Sequence, residues 1–147
     1  MRRFALCLFL ASLAFAQCAA SEETVDALKL RLATASAEDR AEIATRVAQL
    51  QLRAADKFYN EGRLKEAHAA VDDVVAYAEK ARDGAIESKR HLKNVEIAIR
   101  KMAAKLRDVK RTLALEDQAP VDQAIRRLED VRTTLLKEMF SDKKDKK

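Results

Sequence analysis

Between positions 64 and 113 the apolar residues recur at alternating steps of three and four. The run is Leu64, Ala67, Val71, Val74, Ala78, Ala81 and Ala85, then Ser88, then Leu92, Val95, Ile99, Met102, Leu106, Val109 and Leu113. That is seven heptads on one register with Ser88 its only polar member, the pattern of a helix packed lengthwise against a partner. The register passes Gly84 unchanged, and a glycine costs a helix only about 1 kcal/mol relative to alanine. The pattern therefore predicts one helix over about 63–115, roughly 75 Å long at 1.5 Å per residue. Its weakest point is Gly84, where a break is the alternative.

Shorter helices flank this one. Val25, Leu28 and Leu32 predict a first helix over about 22–34. Ser36-Ala37-Glu38-Asp39 sets a capping serine three residues before a carboxylate, so a second helix opens at 37. Its stripe is Ile43, Val47, Leu50, Ala54 and Phe58, and Gly62 stands where a C-terminal cap ends it near 60. Pro120 suits the first turn of a last helix over about 120–140, striped by Val121, Ala124, Leu128, Val131, Leu135 and Met139. Short connections make the helices at 37–60 and 120–140 antiparallel to the long one, each covering half of it. The expected fold is all-α: an elongated antiparallel bundle or coiled coil, one long central helix flanked by two shorter ones, in a single domain over 17–140. Residues 141–147 are charged and lack apolar side chains, which predicts a disordered tail.

Composition agrees with that pattern and adds a compartment. The 147 residues include two glycines and one proline, and aromatics make up 5%. Long helices with a thin aliphatic core follow from such a composition. The amino end is different: Arg2 and Arg3 precede an uncharged apolar run, Phe4 to Ala16, that closes on Ala14-Phe15-Ala16. These are the three parts of a secretory signal peptide, and the run is too short to span a bilayer. The expectation is a signal peptide over 1–16, with cleavage after Ala20 as the late alternative. Export then runs by the general secretory route to the periplasm or the exterior. Gln17 before Cys18 is a poor lipoprotein signal, so no acyl anchor is expected. Cys7 is lost with the signal, and Cys18 alone makes no internal disulfide.

The stretch Tyr59-Asn60-Glu61-Gly62-Arg63-Leu64-Lys65-Glu66-Ala67 resembles the helix-turn-helix centre of a tetratricopeptide repeat. Tyr59 precedes the turn, Gly62 lies in it, and Ala67, Val71 and Val74 take the packing positions of the second helix. The likeness spans residues 44–78 and occurs once; the family's first-helix Trp and Leu-Gly pattern is missing. The resemblance implies a tight helical hairpin, and more remotely a surface for partner peptides.

Nine basic residues, Lys89, Arg90, Lys93, Arg100, Lys101, Lys105, Arg107, Lys110 and Arg111, stand against Glu96 and Asp108, a local balance of +7. Such a patch suits anionic lipid, an acidic cell-wall polymer or an acidic protein. It also suits a plain solvated face neutralised by neighbouring helices. Export, and the lack of aromatic residues to stack on bases, argue against nucleic acid. The stripe Leu92, Val95, Ile99, Met102, Leu106, Val109 and Leu113, widened by Ile97, is broader than one partner helix needs and predicts self-association, most simply a homodimer. No cofactor or metal is expected. His68 and His91 lie 23 residues apart without ligand neighbours. Catalytic constellations are missing too: Asp72-Asp73 and Glu129-Asp130 read as exposed helix carboxylates, and no activated serine or glycine-rich loop occurs. The expectation is a non-enzymatic exported scaffold, chaperone-like or protein-interaction protein of the cell envelope. Its alternatives are a peripheral binder of anionic membrane or wall material and a subunit of a larger envelope assembly.

Overall fold

The structure, a computed structural model, describes residues 24–141. The expected signal peptide, Cys7, Cys18 and all but the first residue of the expected tail lie outside the described residues. Within them the chain is all-α: α1 Val25–Leu32, α2 Ala37–Asn60, α3 Leu64–Ser88, α4 Leu92–Thr112 and α5 Gln118–Ser141, with a 3-10 turn at Leu115–Asp117 before α5.

Local chemistry sets the starts of α1 and α2 and the end of α2. The Thr24 hydroxyl accepts from the Ala27 amide at 3.3 Å and the Ser36 hydroxyl accepts from the Asp39 amide at 3.2 Å, satisfying donors that a helix start leaves open. At the far end of α2, Gly62 takes φ +70, and the amides of Gly62 and Arg63 donate to Tyr59 O and Phe58 O at 3.1 and 2.9 Å. This is a Schellman cap, which needs a residue free to be left-handed.

The helix expected over 63–115 is divided. It stops at Ser88, and Lys89 (φ 55) and His91 (φ 61) both adopt left-handed backbone before α4 begins. Gly84, the expected point of weakness, is buried inside α3. A heptad register reports which face of a helix is apolar and says nothing about whether the chain continues straight. Folding α4 back on α3 buries Val95, Ile99, Met102, Leu106 and Val109 within the chain's own core. Burial of that kind stabilises by roughly 1.5–3 kcal/mol per large side chain, more than the left-handed residues cost.

Polar contacts between helices show the helix directions. In the first hairpin Arg40 meets Glu87 at 2.9 Å and Gln51 meets Asp73 at 2.6 Å, so α2 and α3 are antiparallel. Lys110–Asp122 at 2.7 Å and Arg132–Glu96 at 2.7 Å do the same for α4 and α5. Glu38 lies 3.2 Å from His91 and Asp56 lies 2.9 Å from Lys105, which makes α4 parallel to α2. The two hairpins therefore stand side by side, α2 beside α4 and α3 beside α5. The expected end-to-end placement along a 75 Å rod gives way to a bundle about 36 Å long.

Alanines let the first hairpin close. Ala41, Ala44, Ala48 and Ala55 of α2 and Ala67, Ala70, Ala78, Ala81 and Ala85 of α3 are all buried. The second hairpin supplies the larger side chains, Ile99, Leu106, Leu128 and Leu135, each fully buried. α1 closes one flank by seating Leu28 on Ile43 and Val47.

Candidate functional site

The basic segment is spread over the joint and α4, where carboxylates of α2 and α5 meet most of it. Lys89 pairs with Glu138, Arg90 with Glu38 at 2.9 Å and Lys105 with Asp56 at 2.9 Å. Arg107 reaches Glu129 at 2.6 Å and Lys110 reaches Asp122 at 2.7 Å. Two pairs stay within α4: Arg111 with Asp108 at 2.8 Å, and Arg100 with Glu96 at a loose 3.9 Å. Among the described residues, Lys93 and Lys101 of that segment have no ion pair and are exposed. The stripe offered for self-association is turned inward: Val95, Ile99, Met102, Leu106 and Val109 are buried, while Leu92, Ile97 and Leu113 are half-buried.

Where α2 runs beside α4, the gap between the helices is open. It forms a groove of about 310 Å³, walled by Gln49, Arg53 and Asp56 of α2 and by Lys101 and Lys105 of α4, and floored by Leu52, Ala98 and Met102. The floor side chains are buried by the hairpins beneath them, at 8%, 9% and 3% exposure, so the apolar surface is firm and shallow. Asp56 and Lys105 bridge one end. Arg53 and Lys101 face solvent in the middle and, among the described residues, neither has an ion pair. Arg46, exposed and seven residues before Arg53, continues the same side of α2. Outside the groove, two turns nearer the start of α2, Glu38 and Glu42 lie 3.2 and 3.5 Å from His91. The groove thus carries two cations at its centre, Arg53 and Lys101, and one ion pair, Asp56–Lys105, at one end.

Sequence reasoning singled out Lys101, Lys105 and Met102 but missed Gln49, Leu52 and Arg53. The contact between α2 and α4 joins residues some fifty positions apart, and nothing in the α2 pattern names its neighbour. The seven-residue spacing of Arg46 and Arg53 on a polar face was the one available signal.

His68 lies against the Tyr59 ring, centroids 5.9 Å apart, with the Tyr59 hydroxyl and His68 Nε2 buried and without a hydrogen-bond partner among the described residues. Burial pushes the Tyr59 phenol up to about 12. Among the described residues no three His, Cys, Asp or Glu side chains converge to hold a metal ion, and no helix is long and apolar enough to cross a membrane. Compared with protein-family models, curated proteins and solved structures, the chain finds no match in any of the three.

Proposed function

We propose that this is an exported, non-enzymatic interaction protein, a small helical scaffold that holds a segment of a partner protein in the groove between α2 and α4. One observation carries this reading: two parallel helices leave an open channel with a firm apolar floor and free cations at its centre. Leu52, Ala98 and Met102 give the floor a fixed apolar contour, Gln49 offers both donor and acceptor, and Arg53 and Lys101 select for negative charge. Most of the basic segment is occupied by carboxylates of the same chain, which favours the groove over the wider basic face as the working surface. The three-part leader supports an envelope setting. A hairpin like that of tetratricopeptide repeats, laid beside a second hairpin in parallel, fits the same role.

The test is position-specific photo-crosslinking in the native envelope. A crosslinking residue at Gln49, on the groove wall, is expected to capture protein; one at Gln123, exposed on α5, is not. Arg53→Glu with Lys101→Glu should abolish the capture at position 49 while leaving helix content unchanged. Equal labelling from positions 49 and 123 would rule out the groove as the working surface.

A further inference from the structure

The joint between α3 and α4 combines three features that do not belong to an ordinary loop. Its residues, Ser88 to His91, include neither glycine nor proline, yet two of them are left-handed. Left-handed backbone disfavours a residue with a Cβ, which crowds the following carbonyl oxygen. The heptad register also runs through it without a slip, from Ala85 to Ser88, Leu92 and Val95. And the bend is pinned from outside: Arg90 and His91 reach Glu38 at 2.9 and 3.2 Å, His91 reaches Glu42 at 3.5 Å, and Lys89 reaches Glu138. The Ser88 hydroxyl, which donates to Gly84 O at 2.7 Å, also accepts the Arg90 amide at 3.3 Å.

We propose that this joint is a hinge between two states, and that in the second state α3 and α4 fuse into one helix and the α4–α5 hairpin is exchanged with a second copy of the chain. Straightening releases both left-handed residues into helical geometry, which their side chains prefer. It also withdraws the apolar faces of α4 and α5, and of α2 and α3, from each other. The only surface that fits those faces as they stand is the same surface on another copy, because the exchanged helix contacts repeat the internal ones, while the contacts of the bent joint itself, Arg90 and His91 on Glu38 and Glu42, are made in the bent state alone. In the resulting dimer the fused helices span about 75 Å each, and every groove takes its α2 wall from one chain and its α4 wall from the other. The inference does not depend on what the groove binds.

The clasp decides between the states, so changes at the joint and at its anchors act in opposite directions. Lys89→Gly with His91→Gly eases the left-handed positions and weakens a continuous helix, and should raise the dimer dissociation constant at least roughly a hundredfold. Glu38→Gln with Glu42→Gln loosens the anchors on α2 and leaves the joint's helix-forming residues in place. Lys89→Ala with His91→Ala removes the clasp from the other side. Both of these should lower the dissociation constant by on the order of tenfold or more.

The experiment takes the mature chain through denaturation and refolding at high concentration, followed by light scattering after gel filtration. Separately, chains spin-labelled only at position 53 are refolded with chains labelled only at position 101. A dimer whose inter-chain 53–101 distance equals the intra-chain distance of a doubly labelled monomer is the expected result. A dimer lacking that distance overturns the proposal, because it joins the chains side by side. So does a strictly monomeric outcome for both the Glu38/Glu42 glutamine variant and the Lys89/His91 alanine variant.

Discussion

Gly84 of α3 lies so close to the start of α2 that a Cβ at this position would stand 2.7 Å from the Ala37 carbonyl oxygen, and 2.9 Å from the Ala41 amide nitrogen. Both are backbone atoms, which cannot swing aside. Gly84→Ala is therefore expected to lower stability by about 1–3 kcal/mol, although alanine is the better helix former by about 1 kcal/mol. Chemical denaturation of the variant measures the sign directly. A more stable Gly84→Ala protein would mean that the α2–α3 seam is looser than described.

Tyr59 makes stability depend on pH at the alkaline end. Its phenol ionises near 10.0 when unfolded and near 12 when folded, because burial disfavours the phenolate. The folded state therefore holds its proton more tightly, and stability is unaffected below pH 10 and falls as pH rises toward 12. The loss attributable to this group is roughly 2–3 kcal/mol by pH 12. Tyr59→Phe should remove that part of the alkaline decline, and should cost little at neutral pH because the hydroxyl has no hydrogen-bond partner among the described residues. Parallel unfolding curves of parent and variant from pH 8 to 12 make the comparison.

Glu96 is buried on α4, 8% exposed, and its carboxylate is held by Arg132 at 2.7 Å. Arg132→Ala leaves that charge with only the distant Arg100, and should destabilise by about 1–3 kcal/mol. Restoring a neutral site with Glu96→Gln in the same chain should recover part of the loss. A double-mutant cycle reads the coupling, and independent, additive effects would show that the pair contributes nothing.

Ser36 tests the start of α2. Its hydroxyl accepts the Asp39 amide and donates to the Asp39 carboxylate at 2.7 Å. Ser36→Ala should cost about 1 kcal/mol, with Ser36→Asp retaining most of the stability. Thermal unfolding of the two variants distinguishes loss of a cap from a general disturbance of the turn.

Processing has a simple readout. Ala14-Phe15-Ala16 gives the expectation of cleavage before Gln17 with no lipid on Cys18. The intact mass of the protein recovered from its native source is expected to match a chain starting at Gln17, and added acyl mass would reverse the reading.

What could be read from the sequence follows the range over which each signal acts. The bounds of α2 at 37 and 60 were legible because Ser36 and Gly62 cap the helix through hydrogen bonds to residues within five positions. The inward faces of α4 and α5 were legible because helical periodicity repeats within two turns. The turn at Lys89 to His91 was not: its residues suit a helix, its register is unbroken, and it exists because α4 gains more by packing on the first hairpin than by continuing. The groove was hidden for the same reason. Arg53 and Lys101 are 48 positions apart, and only the return of α4 alongside α2 turns two solvated cations on separate helices into one surface. Helix type and helix ends arise from short-range chemistry written locally in the chain. Hinge and groove arise from burial shared among distant segments, a quantity that has no value until the helices have chosen their neighbours.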